Sequence, residues 1–109
     1  MTNSIVILGR VVTVTIERLD EGLDISLFGG DKTHVGAVTI ADRRELHTIS
    51  RQGHKEAVLT EEWAGAFQKK CNCPVCVRAG IHINDASKKE ISAILEACNR
   101  LLKETLEMM

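Results

Sequence analysis

The segment 29–38, GGDKTHVGAV, brings three glycines together with a histidine and charges of both signs. Successive amides in a glycine turn can form a concave site for an anion, and Lys32 adds a positive charge that suits phosphate. A plain loop between strands explains Gly29 and Gly30 equally well, because glycine relaxes the backbone there. It does not explain Gly36, which falls within a predicted strand, where glycine weakens pairing unless a bulge or a ligand requires it. A plain loop and a phosphate-binding loop both stay open at this point.

The glycine segment matches neither of the two common phosphate-binding motifs. The Gly-Lys-Ser/Thr ending of a Walker loop is absent, and no helix is predicted to follow the segment directly. The dinucleotide motif GxGxxG on a strand-to-helix turn is also absent. Phosphate binding here would therefore use a loop between two strands.

A second polar group, His54-Lys55-Glu56, stands at the predicted start of a helix. Free amides and the helix dipole favour an anion at this position. The alternative is a solvated first turn in which Glu56 complements the dipole. His82 shares a predicted sheet face with Arg78 and Asn84, and a structural histidine is the alternative to a ligand-binding one.

Three cysteines, Cys71, Cys73 and Cys76, have CxC and CxxC spacings that could place thiolates around one zinc ion. A structural zinc site needs four ligands, so His82, His54 or Cys98 would have to complete the set. The spacing allows zinc but does not favour it over redox or incidental use of the thiols. Cys98 fits the apolar stripe of a helix, which favours ordinary packing.

The composition and the N-terminal segment argue against several classes of protein. The formal net charge is −1, which removes the main electrostatic reason to expect nucleic-acid binding. The N-terminal stretch lacks the basic region and cleavage site of a signal peptide, and nothing approaches a membrane span of about 20 apolar residues. We therefore expect a cytoplasmic protein whose four cysteines are thiols, metal ligands or redox groups and not structural disulfides. No Ser-His-Asp order or HExxH motif can be singled out, so the sequence marks no residue as catalytic.

The hydrophobic pattern predicts one α+β domain over residues 1–109. Period-two patterns predict strands over 11–18, 23–27, 35–41, 46–50 and 75–83, while helical spacing predicts helices from about 56 to 70 and from 87 onward. Ser87 and Glu90 form a capping box for the second helix. The order ββββαβα predicts a two-layer sandwich, with an antiparallel sheet of about five strands and two helices on one face.

Three segments resemble the prenylated flavin chaperone LpdD-like domain family. They are GGDKTHVGAV, Gly53-His54-Lys55-Glu56 entering a helix, and Ile81-His82-Ile83-Asn84 before the last helix, and the similarity spans roughly 11–105. The first motif matches at Gly29, Gly30, Asp31, His34 and Gly36, and the second at Gly53, His54, Lys55 and Glu56. The chain departs from the pattern at Gln52, where a proline commonly precedes the glycine, and in its cysteine cluster.

The resemblance implies an accessory subunit of gallate- or vanillate-type decarboxylases, similar in fold to proteasome-assembly chaperones. Such a subunit would bind prenylated flavin mononucleotide (prenylated FMN) or FMN and deliver it to a UbiD-like decarboxylase large subunit. The residues expected at the flavin are Gly29, Gly30, Asp31, Lys32, His34, Gly36, His54, Lys55, Glu56 and His82. The alternatives are a protein-assembly chaperone or subunit-interaction module without a small ligand, or a cysteine-rich zinc or redox protein. We expect a homodimer.

Overall fold

The computed structural model describes all residues, 1–109, as six strands and two helices in the order βββββαβα. The elements are β1 (Thr2–Ile7), β2 (Arg10–Leu19), β3 (Gly22–Gly30), β4 (Ala37–Asp42), β5 (Glu45–Ser50), α1 (Ala57–Cys71), β6 (Val75–His82) and α2 (Lys88–Glu107). The α+β class, the two layers and the last seven elements confirm the prediction from the sequence.

Strand β1 was not predicted, although its sequence carries the signal. Asn3, Ile5 and Ile7 face the helices and alternate with exposed residues, as in a half-buried strand. Leu8 and Gly9 both have positive φ, at 49° and 77°, and they close a tight hairpin onto β2. The sheet therefore has six strands instead of about five.

The strand order is β1-β2-β3-β6-β4-β5, and β6 pairs parallel to β3 and antiparallel to β4. The expectation of a fully antiparallel sheet was therefore wrong at this one pairing. The tight turns between β1 and β2, β2 and β3, and β4 and β5 do enforce antiparallel pairs, but α1 separates β5 from β6. A helical crossover of this length allows the last strand to enter the middle of the sheet.

Both helices pack on one face of the sheet, as the sequence predicted. Trp63 and Phe67 of α1 are fully buried, with ring centroids 6.0 Å apart, and they pack in the same core as Val77 of β6. Helix α2 begins with the predicted capping box: the Glu90 amide donates to Ser87 Oγ, and the Ser87 amide donates to the Glu90 carboxylate. The single core thus fixes both helices against the inward side chains of the strands.

The opposite side of the sheet, here named the open face, carries exposed aliphatic side chains. Val6 lies opposite Val11 on β1 and β2, and Ile49 lies opposite Val38 on β5 and β4, with Ile40 beside them. Ile49 is 79% exposed. The open face therefore has an apolar edge along β4 and β5.

No helix is both long enough and apolar enough to cross a membrane.

Candidate functional site

The glycine segment crosses the end of the sheet. Because β6 lies between β3 and β4, residues 31–36 must pass over the carboxyl end of β6 to reach β4. This segment, here named the crossing loop, is tied to β6 at both ends: the Asp31 amide donates to the His82 carbonyl, and the Gly36 amide donates to the Ala79 carbonyl. A Cβ on Gly80 would collide with the His34 carbonyl, so glycine at this position lets the loop lie close to the strand.

Gly36 lies in the crossing loop, and not within a strand as its position in the sequence predicted. Strand β4 begins one residue later, at Ala37. A Cβ on Gly36 would collide with the carboxylate of Glu56, which is 9% exposed. The missing side chain therefore makes room for a buried acidic group.

Three of the predicted site residues meet beside Gly36, and they are named here the His–Glu cluster: His34, His54 and Glu56. His34 Nε2 is 2.9 Å from Glu56 Oε1 and 3.2 Å from His54 Nδ1. His54 Nδ1 is 3.7 Å from Glu56 Oε2. Residues from two distant loops thus place two imidazoles and one carboxylate in contact.

The polar atoms of the cluster are incompletely satisfied. Glu56 Oε2 is buried and has no hydrogen-bond partner. A buried carboxylate oxygen without a donor is costly, because the group has lost its water. Imidazole and carboxylate are also common ligands of divalent transition metals, so the cluster could hold such an ion.

His82 stands next to the cluster and contacts a different group. Its ring centroid is 6.1 Å from that of His34, and its Nε2 is 3.0 Å from Asn84 Oδ1. The backbone amide of Asn84 donates to Asp31 Oδ2, and Arg10 Nε donates to Asp31 Oδ1. The Arg10 guanidinium and the Asn84 amide hold the pKa of Asp31 below its usual range. Asp31 thereby fastens the start of the crossing loop to β2 and to the end of β6.

Backbone packing explains the two successive glycines. A Cβ on Gly29 would collide with the Val11 carbonyl, and one on Gly30, where φ is +90°, would collide with the His82 carbonyl. Both glycines therefore allow the close approach of strands. Lys32 and Lys55 are exposed; in the sequence, Lys32 stands two residues before His34, and Lys55 stands next to His54 and Glu56.

The N-terminus of α1 offers free amides next to the cluster. Glu56 is its N-cap residue, yet no side chain accepts a hydrogen bond from the first turn, and that turn contains no acidic residue. The N-terminus of α2, in contrast, is closed by its capping box. Unpaired amides at a helix start attract anions.

A cleft lies at the other end of β4, away from the predicted residues. Its volume is about 720 Å³, and Arg43, Arg44 and Lys69 are among the residues that line it, together with Cys73. Arg43 and Arg44 both have positive φ, at 50° and 68°, in the turn between β4 and β5. This cationic cleft contains none of the residues expected at the flavin.

The cysteines lie apart from the His–Glu cluster. All four are free: Cys71 ends α1, Cys73 follows it, Cys76 is on β6 and Cys98 is buried in α2. Burial raises the pKa of the Cys73 and Cys76 thiols, and it raises that of Cys98 to about 12. These thiols are therefore weaker nucleophiles than an ordinary exposed cysteine at neutral pH.

The fold and this geometry define the chain as a small two-layer α+β domain with a histidine–carboxylate cluster at one end of its sheet. The model of the prenylated flavin chaperone LpdD-like domain family matches residues 8–109, and the chain belongs to that family. The recognised resemblance is thus confirmed.

Among solved structures, the chain is similar to one described as a novel chaperone complex for yeast 20S proteasome assembly. The identity is 20%, the TM-score is 0.48, and the match covers 97% of each chain. No curated relative matches the chain.

Proposed function

We propose that the protein is a non-catalytic flavin chaperone that binds prenylated FMN or FMN and delivers it to a UbiD-like decarboxylase large subunit in the cytoplasm. Membership of the LpdD-like family supports this role. The observation that carries the proposal is the meeting of the crossing loop with the uncapped start of α1, where His34 and His54 lie 3.2 Å apart.

The phosphate of the flavin would bind at the start of α1. The free amides of the first turn suit a phosphate, and Lys55 directly precedes the N-cap with an exposed ammonium group. Lys32 on the crossing loop would add a second positive charge. The two lysines carry two positive charges, which together would balance a phosphate dianion.

The isoalloxazine ring would contact the imidazoles. The His34 ring centroid is 4.8 Å from that of His54 and 6.1 Å from that of His82, so the His34 imidazole has two further imidazoles beside it. Imidazole edges can donate to and accept from flavin oxygens and nitrogens. A small polar site of this kind suits a carrier, because weak contacts allow fast release to the partner.

Removing the His54 imidazole should weaken flavin binding. We expect His54→Ala to raise the dissociation constant for FMN by about tenfold, because a hydrogen bond to the flavin ring is lost. The measurement is a fluorescence titration of the purified chain with FMN and with prenylated FMN. His47→Ala is the matched control, since His47 is exposed and pairs with Glu45 at 3.4 Å, outside the cluster. A wild-type chain that shows no response to millimolar FMN or prenylated FMN would refute the proposal.

A second function, a subunit-interaction module that forms homodimers, is favoured by the open face. Ile40 and Ile49 are exposed on neighbouring strands, and Val38 lies beside them. Exposed aliphatic patches of this kind are typical of protein contact sites. This function needs no small ligand, so dimerisation would survive His34→Ala and His54→Ala.

A charge on this apolar edge should prevent self-association. The mass is measured by light scattering of protein eluting from a size-exclusion column. The wild-type chain of 12.0 kDa should show about twice that mass, and Ile49→Lys should show the mass of a monomer. Val58→Lys is the control, because Val58 is 60% exposed on α1, away from the open face. A monomeric wild-type chain at high protein concentration would contradict the homodimer.

A further inference from the structure

We propose that His34 Nε2, His54 Nδ1 and the Glu56 carboxylate bind one divalent first-row transition metal ion. The ligand atoms of these three residues all lie within 4.8 Å of one another. The site would exist in the chain alone, and metal binding there does not depend on flavin binding.

The separations within the cluster fit the edges of a coordination shell. Two ligand atoms at about 2.1 Å from an ion are about 3.0 Å apart at a right angle and about 3.4 Å apart at the tetrahedral angle. The separations are 2.9 Å from His34 Nε2 to Glu56 Oε1, 3.2 Å from His34 Nε2 to His54 Nδ1, and 3.7 Å from His54 Nδ1 to Glu56 Oε2. The first and last of these distances involve different oxygens of Glu56, so the carboxylate would bind the ion through both oxygens or turn to present one of them.

Hydrogen bonding alone does not satisfy this cluster. A neutral imidazole carries one proton, yet His34 Nε2 faces both the Glu56 carboxylate and His54 Nδ1. Glu56 Oε2 is left without any donor, although Glu56 is only 9% exposed. A cation among the three groups would accept a lone pair from each nitrogen and from the orphaned oxygen.

The surroundings suit a metal ligand set. His34 Nδ1 is 3.4 Å from the Lys32 carbonyl, and a proton on Nδ1 directed at that carbonyl would leave Nε2 free to bind the ion. Gly36 leaves the space that the Glu56 carboxylate occupies. Two imidazoles and one carboxylate favour zinc, iron(II), cobalt or manganese over calcium or magnesium. Three protein ligands would leave positions open for water or for an oxygen atom of a ligand.

The test is a titration of chelator-treated full-length protein with cobalt(II) in the absence of flavin, followed by visible absorption. We expect saturable binding of one ion per chain, displaced by zinc(II). Glu56→Gln should weaken cobalt binding more than about 100-fold, because loss even of groups that only orient a ligand weakens binding 10- to 100-fold. His47→Ala should bind as the wild type does.

A second measurement on the wild-type chain keeps the test independent of variant folding. Zinc should shift the imidazole nitrogen NMR signals of His34 and His54 and leave that of His47 unchanged. Absence of saturable cobalt binding would overturn the proposal. Binding that survives Glu56→Gln and is lost in Cys73→Ser would also overturn it, since the ion would then lie at the thiols. The flavin titration is a separate readout, so either proposal can fail alone.

Discussion

Gly80→Ala is expected to lower the free energy of unfolding by about 3 kcal/mol or more and to disrupt the candidate site. The new methyl group would occupy the position of the His34 carbonyl, and backbone cannot move aside as a flexible side chain can. The crossing loop would have to lift from β6, which would break the hydrogen bond from the Gly36 amide to the Ala79 carbonyl. Urea unfolding measures the loss of stability, and proton NMR contacts between the His34 and His54 rings measure the loss of the site.

Gly65→Ala is the matched control for this substitution. Gly65 lies within α1, and a Cβ there would meet no atom within 4 Å. Alanine is the better helix former by about 1 kcal/mol, so this variant should be slightly stabilised. Wild-type stability and unchanged histidine contacts in Gly80→Ala would show that the crossing loop does not depend on close approach to β6.

Trp63→Ala is expected to lower the free energy of unfolding by about 3–5 kcal/mol, which is the range for removing a large aromatic side chain from a core. The Trp63 ring is fully buried and stacks on Phe67 between α1 and the sheet. A domain of this size has a total stability of about 5–15 kcal/mol, so this single loss could leave a large unfolded fraction. Chemical denaturation followed by far-ultraviolet circular dichroism measures the change.

Val58→Ala controls for the removal of a side chain from the same helix. Val58 is exposed, so its loss should change stability by no more than about 0.5 kcal/mol. If Trp63→Ala unfolded at the same urea concentration as Val58→Ala, the assignment of Trp63 to the centre of the core would be contradicted.

Local pattern was enough to predict most of the elements, because alternation and helical spacing report directly on which side of an element is buried. The position of β6 could not be predicted in this way. Its inward residues, such as Val77 and Ala79, would look the same at the edge or in the middle of the sheet. The order of strands depends on how α1 returns the chain to the sheet, which is a property of the whole fold.

The residues of the candidate site were singled out from their types and positions and from the family resemblance, but their contacts with one another were not predicted. The sequence alone favoured an anion-binding loop, and it gave no sign that Glu56 would be buried against His34. The pairing of Arg10 with Asp31 was missed, since the two are 21 residues apart and only the register of β2 and β3 brings them together. The sequence showed that Gly36 is unusual, but it did not show that this glycine leaves space for the Glu56 carboxylate. That role depends on where α1 begins relative to the crossing loop, which only the structure shows.

Strand β6 is synthesised after β3 and β4 although it lies between them in the sheet, and this order affects how the chain folds during synthesis. Strands β3 and β4 each keep an unpaired edge until residues 75–82 emerge, and open edges of this kind invite aggregation. The 40 residues that separate Asp42 from His82 take about 2–8 seconds to synthesise at ordinary elongation rates. Before β6 is made, the crossing loop cannot form its two hydrogen bonds to that strand. A molecule that binds at this loop therefore recognises only finished copies, and its binding stabilises them over immature ones.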